Sequence, residues 1–506
     1  MNFLTALQNK QKTGAIPVIP DIKCFSPKDG DLLRSRDPVQ IARDLADAGA
    51  PALSVVTEPK EFGGSLELLR SVCAAVSVPV LRKDFVTDRS DLEETLRCGA
   101  SAILLMVSCL GEKKLTELYH AAIELGLTPF VETHTEQELT FAYALGARLI
   151  GINNRDILQL ERDDGDVSHA AALLRVGQGE QGIEGKQSQS DAFVIVESAL
   201  RGGADARTAI CSGADGVLCG TAILQAPDPV AKYFSMARPC ELKVCGIMNE
   251  PDADLCQDLG VDMAGFVVEY PVEVPWNLTC ARAEKLLEHV RDGRRSHDCQ
   301  DEHCTSYGSE QEHGHEHDYS HSSAVPALCV VTGGSPAHVL AVAKRLRPDY
   351  LQLHGLETLE ETLAITKVLH ELGIRIIRSV PTDLSLRQRM FGEASLLGVA
   401  GRLKEGGVDC LLFDSRDAGN AASGGGSMVS VEMSGETLWD MIAAKEVFGG
   451  PIMLGGGITP ENIGSVQERF PADCLDIMSG SEDAPGQKSP EKIRRMCEAL
   501  TGVGIA

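Results

Sequence analysis

With 73 acidic against 47 basic side chains in 506 residues, the chain carries a formal net charge of −26 and has no overall basic character for electrostatic binding of nucleic acid. Its 43% hydrophobic and 24% charged content is that of a globular protein, and no apolar run approaches the ~18–20 residues that cross a bilayer. Neither nucleic acid nor membrane is an expected partner. The start, MNFLTALQNKQKTG, lacks the basic-then-apolar order of a signal peptide, and most of the 16 cysteines sit singly in apolar runs such as SVCAAV and LKVCGI. Reduced thiols and a cytoplasmic location are therefore expected.

Short apolar runs recur along the first half at 16–22, 52–56, 78–82, 102–107, 128–132, 148–153, 192–197 and 215–219. Most are continuously apolar, the mark of strands buried on both faces. Segments of helical period separate them. One begins at Asp37-Pro38, carries Ile41, Leu45 and Ala48 on one stripe, and stops at Gly49, which reads as a capped helix. The second half repeats the plan at 241–245, 263–268, 326–331, 349–353, 373–379, 409–414, 451–456 and 473–479. Strands alternating with helices imply a parallel sheet, and eight such units match a closed barrel. The predicted architecture is α/β, two tandem (β/α)8 TIM barrels, one over 1–237 and one over 240–506. Two polar stretches interrupt the pattern, 177–191 and 291–323, and read as disordered insertions on barrel loops. The second holds His297, His303, His313, His315, His317 and His321 with Cys299 and Cys304. Such a tract can bind metal, but its spacing fits no closed zinc site, and no metal is expected.

Chemistry in this architecture sits at the C-terminal ends of the strands. In the first half those ends carry Asp21, Lys23, Lys83, Glu132, Asn153, Arg155 and Glu197. Cations facing carboxylates around one mouth can bind an anionic substrate and serve as an acid and a base together. The last two loops, ESALRGGAD and CGTA, are small and glycine-bearing, suited to cradling phosphate with backbone N–H groups.

The run PDIKCFSPKDG, followed in order by FGGS, LRKDF, ILLM, VET, GINNRD, ES and CGTA, resembles indole-3-glycerol-phosphate synthases over about 16–235. The resemblance implies ring closure and decarboxylation of 1-(2-carboxyphenylamino)-1-deoxyribulose 5-phosphate. It makes Lys83 the general acid on the ketone-derived oxygen and Glu132 the proton acceptor of the final dehydration. Lys23 would hold the substrate carboxylate or a developing charge, with Asp21 and Glu197 in the same catalytic set. Asn153 and Arg155 would orient substrate and carboxylates. Ser26 joins the substrate-binding set; Phe62, Phe85 and Leu104 would pack on the aromatic ring, and Ser198, Gly220 and Thr221 would bind phosphate. Asp21 stands where the family has glutamate, and Ala199 where it has glycine.

In the second half, LKVCGI, AGFV, LQLHG, LLFD, LGGGITPENI and DIMSGSED resemble phosphoribosylanthranilate isomerases. The implied reaction is an Amadori rearrangement of N-(5-phosphoribosyl)anthranilate. Cys245 would remove the proton beside the anomeric carbon, Asp414 would protonate the ring oxygen, and Gly456, Gly457, Ser479 and Gly480 would bind phosphate. Lys243 is either a source of a lowered Cys245 pKa or a structural barrel residue. The family arginine that grips the anthranilate carboxylate is missing near Val274, with Arg282 or Arg378 as possible substitutes, and the family's GG[ST]G loop reads SGGGS at 423–427. The product of this half is the substrate of the first. Expected partners are small phosphorylated anthranilates only, acting on a monomer. No P-loop or dinucleotide fingerprint is present, and no cofactor is expected. Two other readings are open: a second barrel acting on another ribosyl or ketose phosphate, and a non-enzymatic metal-binding role for the histidine-rich tract.

Overall fold

A computed structural model describes residues 2–155, 167–177, 192–298, 326–414 and 435–502. The polar stretch 178–191, most of the histidine-rich tract and the SGGGS loop lie outside the described residues. The chain divides into two compact units between Pro239 and Cys240, the second ending at Leu500.

In the first unit the strands are β1 (Val18–Ile22), β2 (Leu53–Val56), β3 (Val80–Lys83), β4 (Ala102–Met106), β5 (Thr128–Thr133), β6 (Leu149–Asn153), β7 (Phe193–Glu197) and β8 (Gly216–Cys219). Each pairs in parallel with its sequence neighbours, and β1 closes the barrel by pairing with both β2 and β8. All of their residues are buried, which is why they read as unbroken apolar runs. The helix Pro38–Asp47 is capped as its sequence implies. The Asp37 side chain accepts the Val39 N–H, Pro38 opens the first turn, and Ile41, Ala42 and Leu45 are buried.

Before β1 the chain forms the helix Phe3–Gln11, capped by Asn2. Phe3, Leu4 and Leu7 pack into one cluster with Ile19, Ala52, Leu81, Ala102, Phe130, Leu149 and Phe193 from the strands. The helix thereby closes the end of the barrel opposite the functional mouth. Burying one such large apolar side chain contributes roughly 1.5–3 kcal/mol.

The second unit has β9 (Glu241–Cys245), β10 (Met263–Val267), β11 (Ala327–Thr332), β12 (Tyr350–Leu353), β13 (Arg375–Pro381), β14 (Cys410–Asp414), β15 (Ile452–Gly455) and β16 (Cys474–Ile477). It is also a closed parallel barrel in sequence order, with β9 pairing to β16. One boundary is corrected. The helix Cys280–Asp298 continues past Arg291, so the helical period outlasts the point where composition turns polar. Among the described residues every cysteine is free, no helix is long and apolar enough to cross a membrane, and no cluster of side chains could hold a metal ion.

Candidate active sites

Alternation along a strand sends every second side chain into the barrel, so a polar residue at a strand's last inward position faces the mouth. In the first barrel this gathers Asp21, Lys23, Lys83 and Glu132 around one pocket walled by Phe62, Phe85 and Leu104. Two pairs tie the polar residues together. Lys83 Nζ lies 2.5 Å from Glu197 Oε2, and Asn153 Nδ2 donates to Glu132 Oε1 at 3.2 Å. Glu132, Asn153 and Glu197 are at most 1% exposed. Charges buried this deeply are stable only when paired or hydrogen-bonded. Asp21 Oδ1 and Glu197 Oε1 are buried oxygens with no hydrogen-bond partner, open acceptors beside the pocket.

Glycines let the site close up. A side chain at Gly151 would strike Glu197 Oε1 and the Phe130 ring, and one at Gly220 would press on Asp21. The Lys23 ammonium sits 5.6 Å from the centre of the Phe62 ring, a cation–π distance. The Arg155 backbone N–H donates to Asn153 Oδ1 at 3.0 Å, fixing the amide that reaches Glu132. Ser26 is fully buried, bonds Asp29 at 2.9 Å and is not among the pocket-lining residues. Ser198 and Ala199, after β7, both have positive φ (67° and 57°). The helices Gly203–Cys211 and Thr221–Gln225 that follow β7 and β8 start without a side-chain cap. Uncapped N–H groups there suit a phosphate.

Glu58 is a pocket residue that reading the strand ends missed. Its carboxylate accepts the N–H groups of Lys60, Glu61 and Phe62 at 2.9, 2.7 and 3.1 Å, holding the loop that presents Phe62. The signal was available: an acidic residue followed at once by a short turn commonly accepts that turn's N–H groups.

In the second barrel Cys245 ends β9 and Asp414 ends β14, 2% and 4% exposed. A polar chain runs from Lys243 to Asp414. Lys243 Nζ donates to Gln352 Oε1 at 2.6 Å and lies 2.9 Å from Asp476; Gln352 Nε2 meets His354 Nδ1 at 3.2 Å; His354 Nε2 lies 3.3 Å from Asp414 Oδ2. Gln352 has only donors to offer from that nitrogen, so His354 Nδ1 accepts and Nε2 is the ring nitrogen close to Asp414. His354 belongs to the LQLHG run, and its strand-end position was the unused clue.

Three expectations are corrected here. Burial pushes the Cys245 thiol above its ordinary value; Lys243 opposes that shift but does not reverse it. Lys243 is an inward barrel residue committed to Asp476 and Gln352. Arg378 is fully buried, donates to the Leu353 and Glu357 carbonyls and lies 3.2 Å from Glu357 Oε2, so it is already engaged. Arg282 forks onto both oxygens of Glu250 at 2.8 Å. Val274 packs on the barrel core beside Trp276.

Phosphate-loop features recur. Gly456 and Gly457 have φ of 101° and 69°, and Asn462 clamps their loop by bonding Thr459 N and Gly457 O. A side chain at Gly480 would collide with the Ile458 carbonyl, so the loops after β15 and β16 pack backbone to backbone. Ser479 opens a turn with no side-chain cap.

Comparison with known proteins bears on both halves. Residues 1–234 match the family model of indole-3-glycerol phosphate synthase, and 282–499 match that of N-(5'phosphoribosyl)anthranilate (PRA) isomerase. Indole-3-glycerol phosphate synthase of Pyrococcus furiosus is 44% identical over 214 residues, 42% of this chain and 88% of that protein. A multifunctional tryptophan biosynthesis protein of Phanerodontia chrysosporium is 27% identical over 520 residues, 95% of this chain and 63% of that one. Among solved structures, phosphoribosyl anthranilate isomerase from Thermus thermophilus is 23% identical, covering 51% of this chain and 98% of that chain at TM-score 0.35.

Proposed function

We infer a residue-level mechanism from the premise that this chain belongs to the indole-3-glycerol phosphate synthase family and carries a PRA isomerase domain in tandem with it. The chain is a bifunctional enzyme of tryptophan biosynthesis. Its second barrel isomerises N-(5-phosphoribosyl)anthranilate. Its first closes and decarboxylates the resulting ketose phosphate to indole-3-glycerol phosphate. No residue of either site needs a metal or cofactor for these steps.

In the first barrel, Lys83 as an ammonium held by Glu197 is the proton donor to the ketone oxygen as the aromatic carbon attacks. Carbon dioxide then leaves and the ring regains aromaticity. Glu132, oriented by Asn153, accepts the proton released in dehydration. Lys23 meets the substrate carboxylate, Phe62, Phe85 and Leu104 hold the ring, and Asp21 accepts a hydrogen bond from the substrate. Arg155 keeps Asn153 in place through its backbone. Ser198, Gly220 and Thr221 take the phosphate, and Ser26 supports the loop rather than touching the ring. The observation that carries this reading is the joining of Lys83 to Glu197 and of Asn153 to Glu132 at one aromatic-walled pocket. Binding the reactants in such a geometry supplies much of the rate through orientation.

In the second barrel, Cys245 as thiolate takes the proton from the carbon beside the anomeric centre. Asp414, its proton directed by His354, protonates the ring oxygen as the ring opens. Gly456, Gly457, Ser479 and Gly480 hold the phosphate. The reading also takes the protein as a cytoplasmic monomer. The free cysteines among the described residues support a reducing compartment, and sedimentation at micromolar concentration tests the oligomeric state.

A coupled assay tests the assignment. Purified protein given phosphoribosyl anthranilate is expected to form indole-3-glycerol phosphate. Lys83→Ala should stop at the ketose, and Cys245→Ala should consume only supplied ketose. Product formation by either variant from the ribosylamine removes that residue from its role.

A further inference from the structure

The reaction assigned to the second barrel places an aryl group three bonds from the carbon that Cys245 deprotonates. Whatever recognises that ring must therefore stand beside Cys245. The residue in that position is Trp276. A side chain built at Gly246, the next residue after Cys245, would meet Trp276 Cδ1 at 2.9 Å. Gly246 has φ of 81°, so the turn after the thiol is shaped to lie against the indole.

The indole is fixed. Its Nε1–H donates to Glu482 Oε1 at 2.8 Å, and Lys488 Nζ lies 2.7 Å from the same oxygen. The loop that carries it is tied at its base by Tyr270 N to Asn277 Oδ1 and Asn277 Nδ2 to Tyr270 O, each 2.9 Å. An aromatic side chain held in place beside the reacting cysteine binds a flat ring with little loss of its own freedom. The nearby described cations are already engaged: Lys488 with Glu482, Lys243 with Asp476, Arg282 with Glu250, and Arg378 with backbone carbonyls. The match to the isomerase family model begins at residue 282, past this loop.

We propose that Trp276 is a specificity-determining residue of the second barrel, recognising the substrate by its aryl ring rather than its ortho carboxylate. The barrel then also isomerises phosphoribosyl arylamines that lack the carboxylate. The proposal rests on Cys245 and Asp414 being the reacting pair.

The test uses the full chain with two substrates formed by condensing ribose 5-phosphate with anthranilate or with aniline. Ribosylamine consumption gives kcat/KM for each. A pocket that merely tolerates a group discriminates by less than about 100-fold, whereas one built to bind it rejects the analogue by roughly 10⁴-fold. Discrimination below about 100-fold is expected, and larger discrimination overturns the proposal. Trp276→Ala should raise KM about tenfold for both substrates, with Trp276→Phe restoring most of it; an unchanged KM overturns the proposal. Trp276→Arg should improve the anthranilate substrate alone, and equal effects on both count against it. Binding gives a readout that does not need activity. In Trp439→Phe, a change at a side chain 70% exposed, Trp276 is the remaining emitter of the chain's 2 tryptophans. The carboxylate-free ketose product should quench it, and no quenching at saturation sinks the idea. Turnover of anthranilate substrate alone leaves the isomerase assignment standing and removes only the proposal. Turnover of neither removes both.

Discussion

Ala199 holds a left-handed φ of 57° immediately after Ser198 at 67°. For a residue with a Cβ this conformation costs roughly 1–2 kcal/mol, which accounts for the glycine the family keeps there. Ala199→Gly removes that strain but raises the entropy of the unfolded chain by about 0.4–1 kcal/mol. The strain is the larger quantity, so the variant should be more stable by roughly 0.5 kcal/mol, read as a higher denaturant midpoint with unchanged slope. A lower midpoint would show that the loop pays nothing for its shape. Cys245 presents the other residue-scale consequence. Burial holds its thiol above the ordinary 9.0, whereas the proposed mechanism uses its thiolate as the base. At neutral pH the reactive form is a minor fraction that grows about tenfold per pH unit. The kcat/KM of isomerisation should therefore rise with unit slope from pH 7 toward 9, and a flat profile there would exclude Cys245 as the base.

At the scale of elements, the helix Phe3–Gln11 carries a contradiction. Its apolar residues fill the barrel floor, but Lys10 is buried with them and bonds the Gly49 carbonyl at 2.9 Å. Desolvation lowers its pKa from 10.5 to about 8. The folded state thus resists holding this proton. Below about pH 8 the penalty is fully present; as pH rises from 8 toward 10.5 the folded form sheds the proton before the unfolded one does, and stability increases. Lys10→Met should stabilise the first barrel at pH 7 by on the order of 1–2 kcal/mol and flatten this rise. The Gly49 carbonyl would not be orphaned, because Tyr233 Oη also donates to it at 2.9 Å. Thermal unfolding at pH 7 and 9.5 measures both effects, and a loss of stability at pH 7 would mean the Lys10 bond outweighs its desolvation. The loop 58–64 shows the opposite economy: one carboxylate, Glu58, satisfies several N–H groups and fixes Phe62. Glu58→Ala should raise the KM of the synthase reaction more than it lowers kcat, because it loosens a wall of the pocket without removing a reacting group. An equal fall in kcat would give Glu58 a chemical role.

At the scale of the whole molecule, each barrel carries its own proposed reacting residues and its own glycine-bearing loops. No assigned role in one barrel requires a side chain from the other. An equimolar mixture of Lys83→Ala and Cys245→Ala proteins should therefore restore indole-3-glycerol phosphate formation from the ribosylamine, with a lag while free ketose accumulates. Failure to complement would mean the ketose must pass within one molecule.

The alternation of buried strands and capped helices was legible in the sequence because a strand covered on both faces is mostly apolar and admits a polar residue such as Lys243 or Gln352 only with a buried partner, so each barrel announces itself as repeated apolar runs. The catalytic candidates were legible for the same reason: Lys83, Glu132, Cys245 and Asp414 break those runs at their ends, where only the mouth can accept them. Their partners were not, because pairing between distant strands leaves no local pattern. That Lys83 meets Glu197, that His354 faces Asp414 through Gln352, and that Lys243 is spent on Asp476 depend on closure of the barrels. The fates of Arg378 and Arg282 were equally invisible, since a sequence position does not say whether a side chain faces the barrel or the helices around it. Trp276 makes the distinction sharpest: its chemistry is written in the chain, but its place beside Cys245 exists only after two neighbouring strands bring their loops together.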